Sequence, residues 1–366
     1  MLEVADILRA AGAALGRLRG RVLSPWEWKV ASAIGRCRTA AMGGHLEECD
    51  TCRQRRYAYH SCRNRHCPKC RTEDSNRWLE TQQARLLGSG YYLVTFTLPS
   101  ELRALARAEP RQVYSILMSA AAQSLLKLTR DPRHLGATPG MVGVLHTWTR
   151  AMLFHPHVHF LVTAGGLSKD RSRWVSPRNS RFLVPGYALS VIFRAKVRDA
   201  LKAKDLFAQV PAIAWQRKWV VHVKNAGIGD RALAYLARYV LRIAINNSRL
   251  VSLSDGHVTF RYRDNRSGLV KLCTITAEEF AERFLQHVLP RGFTKVRYYG
   301  LLSPSRAKEL EAARNLLPAP TAKPAIATSA GDEASSNPAD ADERCPYCRV
   351  GHMQIIEDLL PARGPP

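Results

Sequence analysis

Three groups of residues in this 366-residue chain have the types and spacing to do chemistry. The first is HPHVHFLV (155–162), where His155, His157 and His159 alternate with other residues. On a strand, alternate side chains share a face, so the three imidazoles stand together and Val158, Phe160 and Val162 stand opposite. Such a row either fills a polar sheet face with hydrogen-bonded histidines or holds a metal ion; taken alone, the first use is the commoner. The second group is AYLARYVLRIAI (234–245), with Tyr235 and Tyr239 at i and i+4, one helical turn apart on one face. Paired phenols usually pack in a core, but Arg238 and Arg242 beside them are at odds with wholly apolar surroundings.

The third group is the run from Cys37 to Cys70, which holds six of the nine cysteines. Cys49/Cys52 and Cys67/Cys70 form two C-x2-C pairs at a separation that suits one structural zinc site. A short irregular segment has little core of its own, and zinc ligation supplies the folding energy it lacks. Cys37, His45, Cys62 and His66 are left over: they form a second site, replace a member of the first, or stand by. Around them lie Arg53, Arg55, Arg56, Arg63, Arg65, Lys69 and Arg71, interleaved with Tyr57, Tyr59 and His60. Basic and aromatic residues on a rigid knuckle suit DNA, through phosphate contact and base stacking, more than a merely solvated face. CPYCRVGH (345–352) carries a third C-x2-C. With two cysteines it closes no tetrahedral site unless His352 or a distant residue such as Cys273 joins it.

The elements that must position these groups follow from periodicity. Residues 1–36 read as helical, with SPWEW supplying an N-cap serine, a first-turn proline and a capping-box glutamate. A helix is expected at 72–87, a strand at 91–98, helices at 101–108 and 111–130, and strands at 142–148 and 157–163. A helix at 186–204, a strand at 215–223 and the tyrosine-bearing helix at 230–245 follow. HVTFRYRD and LVKLCTI form a hairpin about NRSG, and Thr276 with Glu279 opens a further capped helix. Strands and helices without regular βαβ alternation favour an α+β fold with an antiparallel sheet. Residues 317–343, rich in Ala, Pro, Ser and acid, read as a disordered linker.

Lysine and arginine total 55 against 30 acidic residues, a net charge of +25 that marks a polyanion partner. No apolar run approaches ~18 residues, so no membrane partner is expected. The N-terminal apolar stretch lacks a basic leader and is broken by Arg9, so a cytoplasmic site is expected. In that compartment cysteines serve metals more than disulfides.

Taken together, SCRNRHCPKCR, HPHVHFLVTAGGLS, YLARYVLRIAINNSRL and EFAERFLQHVLPRGFTKVRYYGLL resemble, in the same order, blocks of the two-tyrosine rolling-circle insertion-sequence transposases of the HUH endonuclease superfamily. The resemblance implies a zinc-binding, DNA-binding module at 1–88 and a catalytic domain at 89–316 with a central antiparallel sheet flanked by helices. The linker at 317–343 and the short tail at 344–366 match less well. It further implies that His157 and His159 hold one Mg²⁺ or Mn²⁺ and that Tyr235 and Tyr239 are the nucleophiles. They would nick and join single-stranded DNA at element ends and target through a 5′-phosphotyrosine. A third metal ligand is expected in that superfamily. His155 is on the right side but follows an uncertain course at Pro156, and His222 is more distant. A plasmid replication initiator or relaxase would share this chemistry. A non-catalytic zinc-dependent regulator would explain the charge and cysteines but leave the histidine and tyrosine pairs without purpose.

Overall fold

The structure, a computed structural model, describes residues 1–12, 15, 22–70, 85–179, 183–228, 244–264, 267–318 and 344–362. In chain order the strands are β1 Gly44–Cys49, β2 Arg55–Tyr59, β3 Gly90–Thr97, β4 Gly140–Trp148, β5 Phe154–Thr163, β6 Gly166–Leu167, β7 Trp174–Val175, β8 Val221–Ile228, β9 Leu250–Ser254, β10 His257–Arg263, β11 Val270–Thr276, β12 Val296–Gly300 and β13 Met353–Leu359. The helices used below are α1 Val4–Ala11, α2 Pro25–Arg36, α3 Pro110–Arg130, α4 Gly186–Lys202 and α5 Ala277–Leu285. The expected helix at 72–87 lies largely outside the described residues, and the tyrosine-bearing helix at 230–245 almost wholly so.

A five-stranded sheet of order β12-β4-β5-β3-β8, antiparallel throughout, forms the centre, as the α+β reading expects. One face carries Tyr92, Val94 and Phe96 of β3, Met141 and Leu145 of β4, and Val158, Phe160 and Val162 of β5. These pack with α3 and α4 into the main core. Gly143 sits among them because a Cβ there would lie 2.7 Å from the Phe160 ring. Burying that face dictates register: a slip of one residue would turn every apolar side chain outward. The same constraint delivers His157 and His159 to the opposite face.

The chain departs from expectation before β8. A strand was expected over 215–223, but Ile213–Gln216 is helical and the strand begins at Val221. Trp215 and Trp219 stack on each other, and Trp219 packs edge-on to Phe193. Three aromatics therefore anchor this stretch as a turn against α4. The Ser24 capping box forms in full, whereas Glu279 gives its backbone N–H to Thr276 and turns its carboxylate to Arg283.

A second core crosses the expected division at residue 88. Val4, Ile7 and Leu8 of α1, Val30 and Ile34 of α2, and Cys37, Cys67 and Cys70 pack with Val258, Phe260, Phe280 and Phe284. Within the tail, β13 pairs with β1 in a three-stranded sheet of order β13-β1-β2. No described helix is long and apolar enough to cross a membrane.

Candidate functional site

His157 and His159 project from β5 onto the face away from α3 and α4. The β4–β5 pairing places His146 directly opposite His157, and Val144 opposite His159. One ligand atom from each of His146, His157 and His159 lies within 4.8 Å of the others, and all three are buried. His157 Nδ1 donates to the backbone carbonyl of His155 at 2.7 Å, and His159 Nδ1 meets Thr95 Oγ1 at 2.9 Å. Both hydrogen bonds run through Nδ1, the usual way a neighbour orients an imidazole that ligates a metal through Nε2. Burial pushes the His157 pKa down to about 4 and that of His159 to about 3, so both rings stay neutral, the form that ligates. Trp148 stacks on His146 at 4.9 Å and forms a flat wall beside it.

Neither suggested third ligand joins this group. Arg103 Nη2 donates to His155 Nδ1 at 3.0 Å, so that ring faces a cation. His222 stands opposite Thr95 on β8, exposed and with β3 between it and β5. His146 went unrecognised in the sequence because VGVLHTW holds a single histidine. The signal was the hairpin: pairing the two expected strands across their short connection brings His146 against His157.

His287 is a buried histidine of the other kind. Its Nε2 donates to the Met152 carbonyl at 3.1 Å, and its Nδ1 meets Thr147 Oγ1 at 3.2 Å. Burial pushes its pKa down from 6.5 to about 3. The unfolded chain takes up a proton below pH 6.5 that the folded chain refuses. This contribution is therefore whole above pH 6.5 and lost as pH falls toward about 3. At pH 5 the loss is about 2 kcal/mol. Urea unfolding at pH 7.5 and pH 5.0 measures it, and His287→Gln is expected to remove that part of the pH dependence. Equal pH dependence in both proteins would refute the assignment.

The cysteines divide differently from their order in sequence. Cys49 and Cys52 do not share a site with Cys67 and Cys70. One quartet is Cys37, Cys62, Cys67 and Cys70; the other is Cys49, Cys52, Cys345 and Cys348. Four sulfurs held at 2.3 Å around zinc stand about 3.8 Å apart along each edge of the tetrahedron. The recorded separations fit: Cys37–Cys70 3.6 Å, Cys62–Cys70 3.7 Å, Cys52–Cys345 3.6 Å and Cys49–Cys348 3.7 Å. None of the nine cysteines is in a disulfide. In the first quartet the Cys62 N–H donates to Cys37 Sγ at 3.4 Å, as thiolate sulfurs favour. His45 and His66 belong to neither quartet. His45 Nδ1 meets Asp358 Oδ1 at 2.8 Å across the β1–β13 pair.

The basic residues also sort into two kinds. Arg65 donates to the Phe293 and Pro290 carbonyls at 2.5 and 2.9 Å, and Lys69 pairs with Glu3 at 2.5 Å. Both act as struts that hold the module in place. Arg53 and Arg55 pair with Glu48, and Arg56 with Glu47. Arg53 and Arg55 are well exposed, and exposed pairs of this kind are weak enough to exchange carboxylate for phosphate. Arg63 is exposed. Tyr235, Tyr239, Arg238, Arg242 and Arg71 lie outside the described residues.

Comparison with known proteins places these sites in context. Residues 7–98 match a family described as "Transposase zinc-binding domain", and residues 140–309 match one described as "Putative transposase". The first stretch holds the whole first quartet and the second holds all three clustered histidines. The chain is 40% identical to "Putative transposase y4qJ" of Sinorhizobium fredii over 391 aligned positions, covering 100% of this chain and 97% of that protein. It is 28% identical to the transposase for insertion sequence element IS801 of Pseudomonas savastanoi pv. phaseolicola, over 78% of this chain and 74% of that one. No solved structure matches. Similarity over the full length of one transposase, with both family matches in the same order, shows that this chain belongs to the IS91-type, two-tyrosine insertion-sequence transposases.

Proposed function

We propose that the protein nicks and rejoins single-stranded DNA at insertion-sequence ends by tyrosine transesterification. The observation that carries this reading is the convergence of His146, His157 and His159 on one sheet face, with the His159 ring held by Thr95 and the His157 ring by the His155 carbonyl. Three imidazoles fit a divalent cation, and nitrogen donors favour Mn²⁺ over Mg²⁺. When bound, that ion would draw charge from a phosphoryl oxygen of the scissile phosphate.

The rest is the work of side chains. Tyr235 or Tyr239 supplies the phenolate oxygen that attacks phosphorus; a P–O bond to tyrosine forms as the bond to the 3′ oxygen breaks, leaving a 3′-hydroxyl and a 5′-phosphotyrosine. Tyrosine with a pKa of about 10 is a poor nucleophile, and Arg238 and Arg242 would favour its phenolate. The ester keeps the energy of the broken bond, so rejoining needs no nucleotide. A second phenol would let one tyrosine hold an end while the other acts. Exposed Arg53, Arg55, Arg63 and Tyr57 on the cysteine module would contact phosphates and stack on bases.

The test is a covalent adduct. Full-length protein with Mn²⁺ and labelled single-stranded element ends should give a protein–DNA band that survives denaturation. EDTA, or the Tyr235→Phe and Tyr239→Phe changes together, should abolish it. An adduct that persists in the double variant would overturn the tyrosine assignment.

A further inference from the structure

Cys345 and Cys348 lie outside both stretches that match the transposase families, yet their backbone repeats that of Cys49 and Cys52. In each knuckle the residue two after the first cysteine donates its N–H to that sulfur, Thr51 to Cys49 and Tyr347 to Cys345, both at 3.4 Å. In each, the arginine after the second cysteine turns left-handed, Arg53 at φ 59° and Arg349 at φ 58°. Each of those arginines donates its N–H to the first cysteine's carbonyl, at 3.1 and 2.8 Å. The two turns face each other, so four sulfurs meet with tetrahedral-edge spacing.

Their fit excludes a larger side chain between them. A Cβ on Gly351 would lie 2.3 Å from both Asp50 Oδ1 and Thr51 Oγ1. The Asp50 N–H donates to the His352 carbonyl at 3.1 Å, and the His352 N–H returns to Asp50 Oδ1 at 2.9 Å. Apolar burial does not hold the tail here. β13 is exposed along most of its length, Ile355 and Ile356 included. Beside the β1–β13 ladder and these hydrogen bonds stand sulfurs that accept N–H bonds, as thiolates do, and adjacent thiolates require a cation to stay together.

We infer that Cys49, Cys52, Cys345 and Cys348 hold a second zinc ion, which staples residues 344–362 to the N-terminal module. The cysteine pair that sequence proximity assigns to a neighbour in the module is completed from 293 residues away. The site keeps β13 on the edge of β1, in the same sheet as β2, which carries Arg55 and Tyr57 and follows the turn at Arg53. It stands independently of the nicking chemistry.

Elemental analysis of the full-length chain should find two zinc ions per molecule, and one in the Cys345→Ser, Cys348→Ser variant. With Co²⁺ in place of zinc, the tetrahedral-thiolate absorption of that variant should fall to half that of the wild type. A protease recognition sequence inserted within 325–335 gives a second readout that changes no cysteine. After cleavage the tail fragment should co-elute with the remainder in zinc buffer and separate in EDTA. One ion in the wild type, two in the variant, or a tail that separates in zinc buffer would each overturn the inference. If the variant loses both ions through misfolding, the cleavage result decides.

Discussion

His157→Gln and His146→Gln should each reduce single-strand nicking about 10²–10³-fold at a limiting Mn²⁺ concentration, with the protein still folded. Charge withdrawal from a phosphoryl oxygen contributes several kcal/mol to such a transition state, and each 1.4 kcal/mol is a factor of ten in rate. The loss should be partly recovered at high Mn²⁺, because a two-ligand site binds more weakly without being destroyed. Thr95→Val should do less, about 10–100-fold in metal affinity, since it removes a hydrogen bond that orients His159 without removing a donor. His222→Gln, exposed and two strands away from β5, should change nicking by about twofold or less. Nicking rates titrated against Mn²⁺ measure all four. A His146→Gln protein with an unaltered Mn²⁺ dependence would place the third ligand elsewhere.

The largest effect on stability is expected from Cys67→Ser. Cys67 is fully buried in the first quartet, and Cys37 and Cys70 beside it form part of the core shared with α1, α2 and α5. Structural zinc contributes about 10–16 kcal/mol in small zinc-dependent folds, as much as the entire stability of a typical domain. Breaking this site should therefore unfold the N-terminal module and loosen Val258–Phe284 with it. Zinc content, urea unfolding and protection of 250–285 from proteolysis report the outcome together. Cys273→Ser, outside both quartets, should leave zinc content unchanged. Wild-type zinc content and urea midpoint in Cys67→Ser would refute the role given to that cysteine.

Local pattern carried much of this architecture. Alternation in HPHVHFLV told which histidines share a face because pleating has a period of two, and β-branched and aromatic runs located β3, β4 and β5. What pattern lacks is partnership between distant segments. His146 becomes a candidate ligand through strand register, and Cys345 finds Cys52 through a fold that no spacing rule encodes. Identical C-x2-C pairs do not say which pair faces which, so proximity grouped Cys49/Cys52 with Cys67/Cys70 while topology separated them. The basic residues of the module divide for a related reason. Charge alone does not distinguish Arg65, whose guanidinium reaches two carbonyls of another segment, from exposed Arg63.

The core that joins α1 and α2 to β10 and α5 bears on how these proteins can be recombined. Two family matches, at 7–98 and 140–309, invite the view that the DNA-reading and strand-cutting halves are interchangeable cassettes. A graft made between them would divide Ile7, Val30 and Ile34 from Phe260, Phe280 and Phe284, pressing one relative's apolar surface against a mould shaped for another's. End recognition and cutting would then have to diversify together, and a productive chimera would carry both faces of that core from one parent.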